Sequence, residues 1–83
     1  MIEPGTKVHT ERVTMVINGL DRGGGGSLTA ERALARVTGV VWAYVNPATE
    51  MAYVEYDPVM VLLAHLIAAV ERTGLRVGEM EMR

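Results

Sequence analysis

The residues most suggestive of chemistry are four consecutive glycines, Gly23 to Gly26, placed directly before a predicted helix. A glycine-rich turn at a helix N-terminus can present backbone N–H groups to an anion. The segment lacks the Gly-Lys-Ser/Thr ending of a phosphate-binding loop, and a dinucleotide fingerprint would need a parallel, doubly wound sheet. We therefore interpret the segment as a flexible loop, with anion binding as an alternative.

Metal ligands are scarce, because the 83 residues include no cysteine. His9 precedes the first predicted strand and the glycine loop follows it, which separates them by about 26 Å. His65 lies among leucines in a predicted helix, where a structural role is expected. Met80 and Met82 alternate on a predicted strand and are expected to pack or to lie exposed. The residues predict no metal site and no cofactor, with a metal-ion carrier using non-cysteine ligands as an alternative.

Hydrophobic periodicity predicts the element order βαββαβ. The predicted strands are 12–18, 40–46, 50–56 and 75–82. The first predicted helix is capped by Ser27 and ends just before Gly39, and the second runs from Val59 to Thr73 and is stopped by Gly74. Two βαβ halves of this kind form an α+β, ferredoxin-like sandwich, in which a four-stranded antiparallel sheet carries both helices on one face. Residues 1–10 are predicted to be a flexible leader and residues 11–83 a single domain.

Several segments together carry a family resemblance. They are Gly19-Leu20, Glu31-Arg32-Ala33-Leu34, Thr38-Gly39-Val40, Val45-Asn46-Pro47-Ala48-Thr49, Val54-Glu55-Tyr56-Asp57-Pro58 and Ala69-Val70-Glu71-Arg72-Thr73-Gly74-Leu75-Arg76-Val77. Over roughly residues 12–77 the chain resembles the heavy-metal-associated domains, which occur as small copper chaperones and as N-terminal domains of metal-pumping ATPases.

The resemblance implies a metal loop, which this chain has altered. In the family the loop after the first strand reads Gly-Met-x-Cys-x-x-Cys, and its two thiolates bind Cu(I) or Zn(II). Counting back from Glu31 places Gly23 and Gly26 at the two cysteine positions. The whole stretch reads Gly19, Leu20, Asp21, Arg22, Gly23, Gly24, Gly25, Gly26 and Ser27. Leu75 stands where the family often has an aromatic residue. Because glycine has no donor atom, metal transfer does not carry over.

Two surfaces are predicted to bind partners. The second helix is apolar nearly all round, and if Val59, Leu63, Leu66, Ile67 and Val70 face the sheet, then Val61, Leu62 and either Ala68 or Ala69 face outward, with Val61, Leu62 and Ala69 taken as the contacts. Strand alternation that turns Val41, Ala43 and Val45 toward the helices places Trp42, Tyr44 and Tyr53 on the open sheet face. Partner contact or homodimerisation is predicted there, with base stacking as an alternative.

The composition and charge of the chain disfavour several classes of function. The formal net charge is −2, which disfavours nucleic acid as a partner. No apolar run is long enough to span a bilayer, the N-terminus lacks signal-peptide features, and a cytoplasmic location is predicted. No nucleophile and base are arranged for catalysis, so an enzyme is not predicted. The predicted function is a protein-interaction or regulatory module related to copper or zinc transport and homeostasis. The alternatives are the non-cysteine metal carrier and a single-stranded nucleic-acid or anion binder.

Overall fold

The computed structural model describes residues 9–20 and 25–82. Its elements follow the predicted order. They are β1 (Glu11–Asn18), α1 (Gly26–Ala35), β2 (Val40–Asn46), β3 (Met51–Tyr56), α2 (Leu63–Glu71) and β4 (Arg76–Met82). The four strands form one sheet in the order β2-β3-β1-β4, and each neighbouring pair is antiparallel. The predicted ferredoxin-like βαββαβ fold is confirmed.

The core lies between the sheet and the helices. On β1 the side chains of Val13, Met15 and Ile17 enter the core at the two-residue period of a strand, while Thr14 is buried on the opposite face of the sheet. Leu34 of α1 and Leu66 of α2 are completely buried against them. Burying each such side chain contributes about 1.5 to 3 kcal/mol, so this layer contact accounts for much of the fold's stability.

A glycine lies between each helix and the strand that follows it, although α1 ends at Ala35, four residues before Gly39 and earlier than predicted, and α2 ends at Glu71. Gly39 and Gly74 have φ angles of 104° and 96°, which L-residues rarely adopt. Between β2 and β3, Glu50 also has a positive φ of 60°, and its N–H donates to the carbonyl oxygen of Asn46 over 2.8 Å. Glu50 is therefore part of the turn, and β3 begins one residue later than the sequence predicts.

The start of the second helix differs from the prediction. The side-chain carboxylate of Asp57 accepts the N–H of Val59 over 2.9 Å, and the backbone carbonyl of Asp57 accepts the N–H of Val61 over 3.0 Å. These bonds make residues 57–61 a turn. The helix begins only at Leu63. As a result Val59, predicted to face the sheet, is 89% exposed, whereas Val61 is only 2% exposed and enters the core.

Three further predictions were wrong. Ala69 is 3% exposed, so neither Ala69 nor Val61 can contact a partner from the outer side of the helix. Leu62 is exposed, as predicted. The register of β2 shifts between Val40 and Trp42, and the extra residue, Val41, is exposed instead of facing the helices. Finally, Ser27 does not cap α1, because the helix begins at Gly26 after a Gly25 cap that makes no side-chain hydrogen bond.

Candidate functional site

The first candidate site is the loop at the former ligand positions. Asp21, Arg22, Gly23 and Gly24 lie outside the described residues. Gly25 precedes α1, and a Cβ built on it would meet nothing within 4 Å. A Cβ on Gly26 would instead lie 3.1 Å from both the Cα and the carbonyl oxygen of Leu20. The second cysteine position is thus crowded by backbone.

The residues that flank this loop are packed. Leu20 is buried and belongs to the core cluster. Gly19 has a φ of 100°, and a Cβ there would lie 3.2 Å from Cδ2 of Leu75. Leu75, which occupies the family's aromatic position, is itself packed against the core. The end of β1 and the α2–β4 connection therefore meet beside the loop, as the resemblance implies.

Other potential donors are dispersed. Among residues 9–20 and 25–82, no group of three or more His, Asp or Glu side chains is arranged to hold a metal ion. The Nδ1 atom of His65 accepts the N–H of Leu62 over 3.0 Å, a structural role at the start of α2. Met80 packs against the core, and the Sδ atom of Met82 accepts the hydroxyl of Tyr56 over 3.8 Å.

The open face of the sheet carries the second candidate site, which we call the aromatic face: Trp42, Tyr44 and Tyr53. Trp42 is 42% exposed and Tyr44 is 50% exposed. Tyr44 and Tyr53 are direct cross-strand partners, and their rings stack with centroids 6.2 Å apart and planes inclined by 14°. The side chains lie where strand alternation predicts, and their binding role stays a prediction.

A hydrogen-bond network centred on Glu55 holds one end of the aromatic face. Its Oε2 atom accepts the hydroxyl of Thr10 over 2.6 Å, and its Oε1 atom accepts the indole N–H of Trp42 over 2.8 Å. The Nε atom of Arg12 lies 3.5 Å from the same Oε1. The Thr10 bond is the largest influence on the pKa of Glu55; with Trp42 and Arg12 it outweighs burial and lowers that pKa below its ordinary value. The carboxylate stays ionised at neutral pH and fixes the indole.

The aromatic face borders a groove of about 610 Å³. Its lining includes Thr10, Arg12, Thr14 and the three aromatic side chains. Thr14 is only 6% exposed and forms part of the floor. A second hollow shares Thr14 and continues toward β4, where Glu79 and Glu81 line it. The open face is therefore aromatic toward β2 and acidic toward β4.

Both edges of the sheet are partly blocked. The Oε1 atom of Glu31 on α1 accepts the N–H of Val45 on β2 over 3.0 Å. On the opposite edge the Oε2 atom of Glu71 lies 3.4 Å from the N–H of Val77 on β4. The strand pairs at both edges also contain register shifts, which discourage pairing with another chain. Pairing of a further strand at either edge is accordingly disfavoured.

Neither a family model nor a curated protein matches this chain. Solved structures do match. The N-terminal domain of a potential copper-translocating P-type ATPase from Bacillus subtilis, solved in its Cu(I)-loaded state, is 30% identical over 83% of this chain and 85% of that one, with a TM-score of 0.77. The CopZ metallochaperone is 27% identical over 81% of this chain and 98% of its own, with a TM-score of 0.75. A structure described as "Crosstalk between Cu(I) and Zn(II) homeostasis" is 32% identical over 86% of this chain and 97% of its own, with a TM-score of 0.67.

The chain belongs to the heavy-metal-associated domain family. The resemblance first seen in scattered segments is thus confirmed by the similarity of the whole fold. The 83 residues of this member include no cysteine, so the thiolate pair typical of the family is missing. Among the described residues, no helix is long and apolar enough to cross a membrane.

Sequence reasoning missed the Glu55 network and the bulge at Val41. The network joins β1, β2 and β3, and recognising it requires the register that sets Trp42 opposite Glu55 and Arg12 opposite Glu55. The bulge shifts that register by one residue. The signal available in the sequence was the single tryptophan of the chain, predicted to lie on the open face of the sheet.

Proposed function

We propose that this heavy-metal-associated domain is a protein-interaction module that binds a partner through the aromatic face. The observation that carries the proposal is a set of aromatic side chains on the open face of the sheet, of which Trp42 and Tyr44 are exposed and Trp42 is held by a hydrogen bond to Glu55. Tryptophan and tyrosine are enriched in the energetically dominant contacts of interfaces. The bond from Trp42 to Glu55 holds the indole before binding, which lowers the entropy lost on association. The stacked pair of Tyr44 and Tyr53 extends the same rigid surface.

The size of the face limits the area that a partner can cover. Four strands spaced about 4.8 Å apart and six residues long span roughly 19 by 20 Å, or about 400 Å² in projection. Stable complexes bury about 800 Å² on each partner. The sheet face alone therefore supports transient docking better than a permanent homodimer. We expect the chain to be monomeric at micromolar concentration.

The charges of the face favour a protein over a nucleic acid. Glu55, Glu79 and Glu81 lie on it, and Arg12, one of its cations, is already close to Glu55. These carboxylates would repel a phosphate backbone. With the family membership, this supports a regulatory role in copper or zinc transport, in which the domain contacts a metal-carrying protein without itself supplying thiolates. The cytoplasmic location stays a prediction.

The proposal can be tested by an NMR titration of the isotope-labelled chain. The probe is the N-terminal domain of the Bacillus subtilis copper-translocating ATPase, a family member. We expect the largest shifts at the indole N–H of Trp42 and at the amides of Tyr44 and Tyr53. Trp42→Ala and Tyr44→Ala should each weaken binding, whereas Leu62→Glu, on the helix side, should not.

Two outcomes would contradict the proposal. Shifts confined to α2, with Leu62→Glu abolishing binding, would move the interface to the helix. No binding by this probe together with a stable dimer in light scattering would replace transient docking by self-association. Each variant must first give a spectrum with native dispersion, since a loss of binding means nothing for an unfolded chain.

A further inference from the structure

Thr14 separates the two hollows on the open face of the sheet. Tyr53 lines the hollow toward β2 and Glu81 lines the hollow toward β4, while Thr14 lines both. The register explains this position, since Thr14 is the direct partner of Tyr53 on β3 and of Glu81 on β4. A short side chain therefore lies between an aromatic ring and a carboxylate in one row across three strands. We call this gap the Thr14 slot: Tyr53, Thr14 and Glu81.

The width of the Thr14 slot follows from the strand pairing. Directly opposite residues of an antiparallel pair have Cβ atoms about 4.5 to 5.5 Å apart, so two such steps separate the Cβ atoms of Tyr53 and Glu81 by about 9 to 11 Å. Tyr44, on β2, stacks on the ring of Tyr53 from the side away from the slot. The opposite face of the Tyr53 ring is consequently directed toward the slot.

The floor of the Thr14 slot carries a hydroxyl without a hydrogen bond. Thr14 is only 6% exposed, and among residues 9–20 and 25–82 its hydroxyl has no hydrogen-bond partner. Those same residues include no fully buried side-chain oxygen or nitrogen that lacks a partner. The hydroxyl of Thr14 therefore reaches the hollows that this residue lines, where it can accept a hydrogen bond from a bound group.

The wall of the slot on β4 is acidic. Glu81 and its neighbour Glu79 are both exposed and line the same hollow. Within the described part of the chain, no nitrogen of an arginine, lysine or histidine side chain lies within 4.0 Å of either carboxylate. The slot thus combines an aromatic wall, a hydroxyl at its floor and a carboxylate wall that is open to an incoming cation.

The arginines on this face of the sheet do not occupy the slot. Arg12, two residues before Thr14, is the direct partner of Glu55, and its Nε atom lies 3.5 Å from Oε1 of Glu55. Arg76 pairs with Asn18, which is about 13 Å along β1 from Thr14. A cation that fills the slot must therefore come from another molecule.

We propose, resting on the docking proposed for the aromatic face, that the Thr14 slot binds an arginine side chain of the partner protein. A guanidinium is planar, stacks on aromatic rings and forms paired hydrogen bonds with carboxylates. A cation attracted to a ring lies within about 6 Å of the ring centroid, and a charge-assisted hydrogen bond is about 2.8 Å long. The two distances together, about 9 Å, match the width of the slot. Lysine fits less well, because an ammonium has no plane to stack on Tyr53.

The probe is the capped peptide acetyl-Gly-Ser-Arg-Ser-Gly-amide. The control peptide has citrulline in place of arginine, which keeps the planar end group but removes its charge. The isotope-labelled full chain is titrated with each peptide and followed by NMR. We expect amide shifts at Tyr53, Thr14 and Glu81 with the arginine peptide, and binding of the citrulline peptide at least twofold weaker. Replacing the arginine by lysine should also weaken binding.

Two variants test the walls of the slot. Glu81→Gln removes an exposed ion pair, and Thr14→Val removes the hydroxyl while keeping the shape of the side chain. Each should weaken binding of the arginine peptide roughly two- to fivefold. Glu71→Gln is the matched control, because it removes the same charge from an exposed residue of α2, and it should leave the affinity unchanged. Glu81 is exposed, so its variant keeps the test valid even if Thr14→Val does not fold.

Equal binding of the arginine and citrulline peptides, or an equal effect of Glu71→Gln and Glu81→Gln, would overturn the assignment of arginine. The titration with the ATPase domain separates this inference from the proposed function. If that domain binds the aromatic face and neither Glu81→Gln nor Thr14→Val changes its affinity, the slot is wrong although the docking stands. Arginine-selective peptide binding at the slot would support the slot even if the proposed docking of the domain failed.

Discussion

Replacing Gly39 by alanine is predicted to be unusually damaging. Its φ of 104° already disfavours any L side chain, which costs about 1 to 2 kcal/mol. The added Cβ would lie 2.5 Å from Cγ2 of Val61 and 2.8 Å from Cβ of Met60. Because Val61 is fixed in the core, relieving that overlap costs about 1 to 3 kcal/mol more. The total of about 2 to 5 kcal/mol is large beside the roughly 4 to 12 kcal/mol expected for a domain of this length.

Gly74→Ala separates the two contributions. Gly74 has a similar φ of 96°, but a Cβ there would meet nothing within 4 Å. It should therefore cost only the backbone share, about 1 to 2 kcal/mol. Urea unfolding followed by the fluorescence of Trp42 would measure both variants, with an unchanged m-value as the check on two-state behaviour. If Gly39→Ala were no more destabilising than Gly74→Ala, the steric argument would be wrong.

Three other predictions concern the core, the network and the lost ligands. Leu66→Ala should lower the free energy of unfolding by about 2 to 5 kcal/mol in the same urea assay, because the side chain is fully buried. The pKa of Glu55 is lowered from 4.5, so its stabilising effect is present above pH 4.5 and lost as the pH falls through the folded-state pKa. Glu55→Gln should remove the part of the stability loss at low pH that comes from protonation of Glu55. Identical plots of unfolding midpoint against pH for Glu55→Gln and the parent chain would contradict this. Gly23→Cys with Gly26→Cys should restore Cu(I) binding in a chelator competition, provided that Leu20 moves slightly, and no binding would show that the loop has changed beyond its two ligands.

Elements governed by local patterns were predictable. The alternation of Val13, Met15 and Ile17 marks β1 because a strand buried on one face has a period of two. Gly74 marks the end of α2 because its positive φ angle suits glycine, whereas Gly39 lies four residues beyond Ala35 and marks the turn into β2. In each case the physical cause lies within a few residues, so the sequence contains it.

Features set by competition between segments were not predictable. The run from Val59 to Val70 is apolar all round, so it has no periodic signal to fix where α2 begins. The start is decided by the hydrogen bonds of Asp57, which hold a turn and direct Val61 inward. The helical phase then changes, and Ala69 is buried against the prediction. Similarly, the exposure of Val41 follows from a bulge that depends on pairing with β3.

The former ligand loop and the aromatic face are far enough apart to act separately. The strands β1 and β2 both run antiparallel to β3, so they point the same way. The loop follows the last residue of β1, whereas Trp42 and its partner Glu55 lie level with Arg12 at the beginning of β1. Six residues from Arg12 to Asn18 correspond to about 20 Å. A protein docked at the Trp42 end of the face would therefore not need to touch the loop, so the proposed interaction does not depend on the two thiolates.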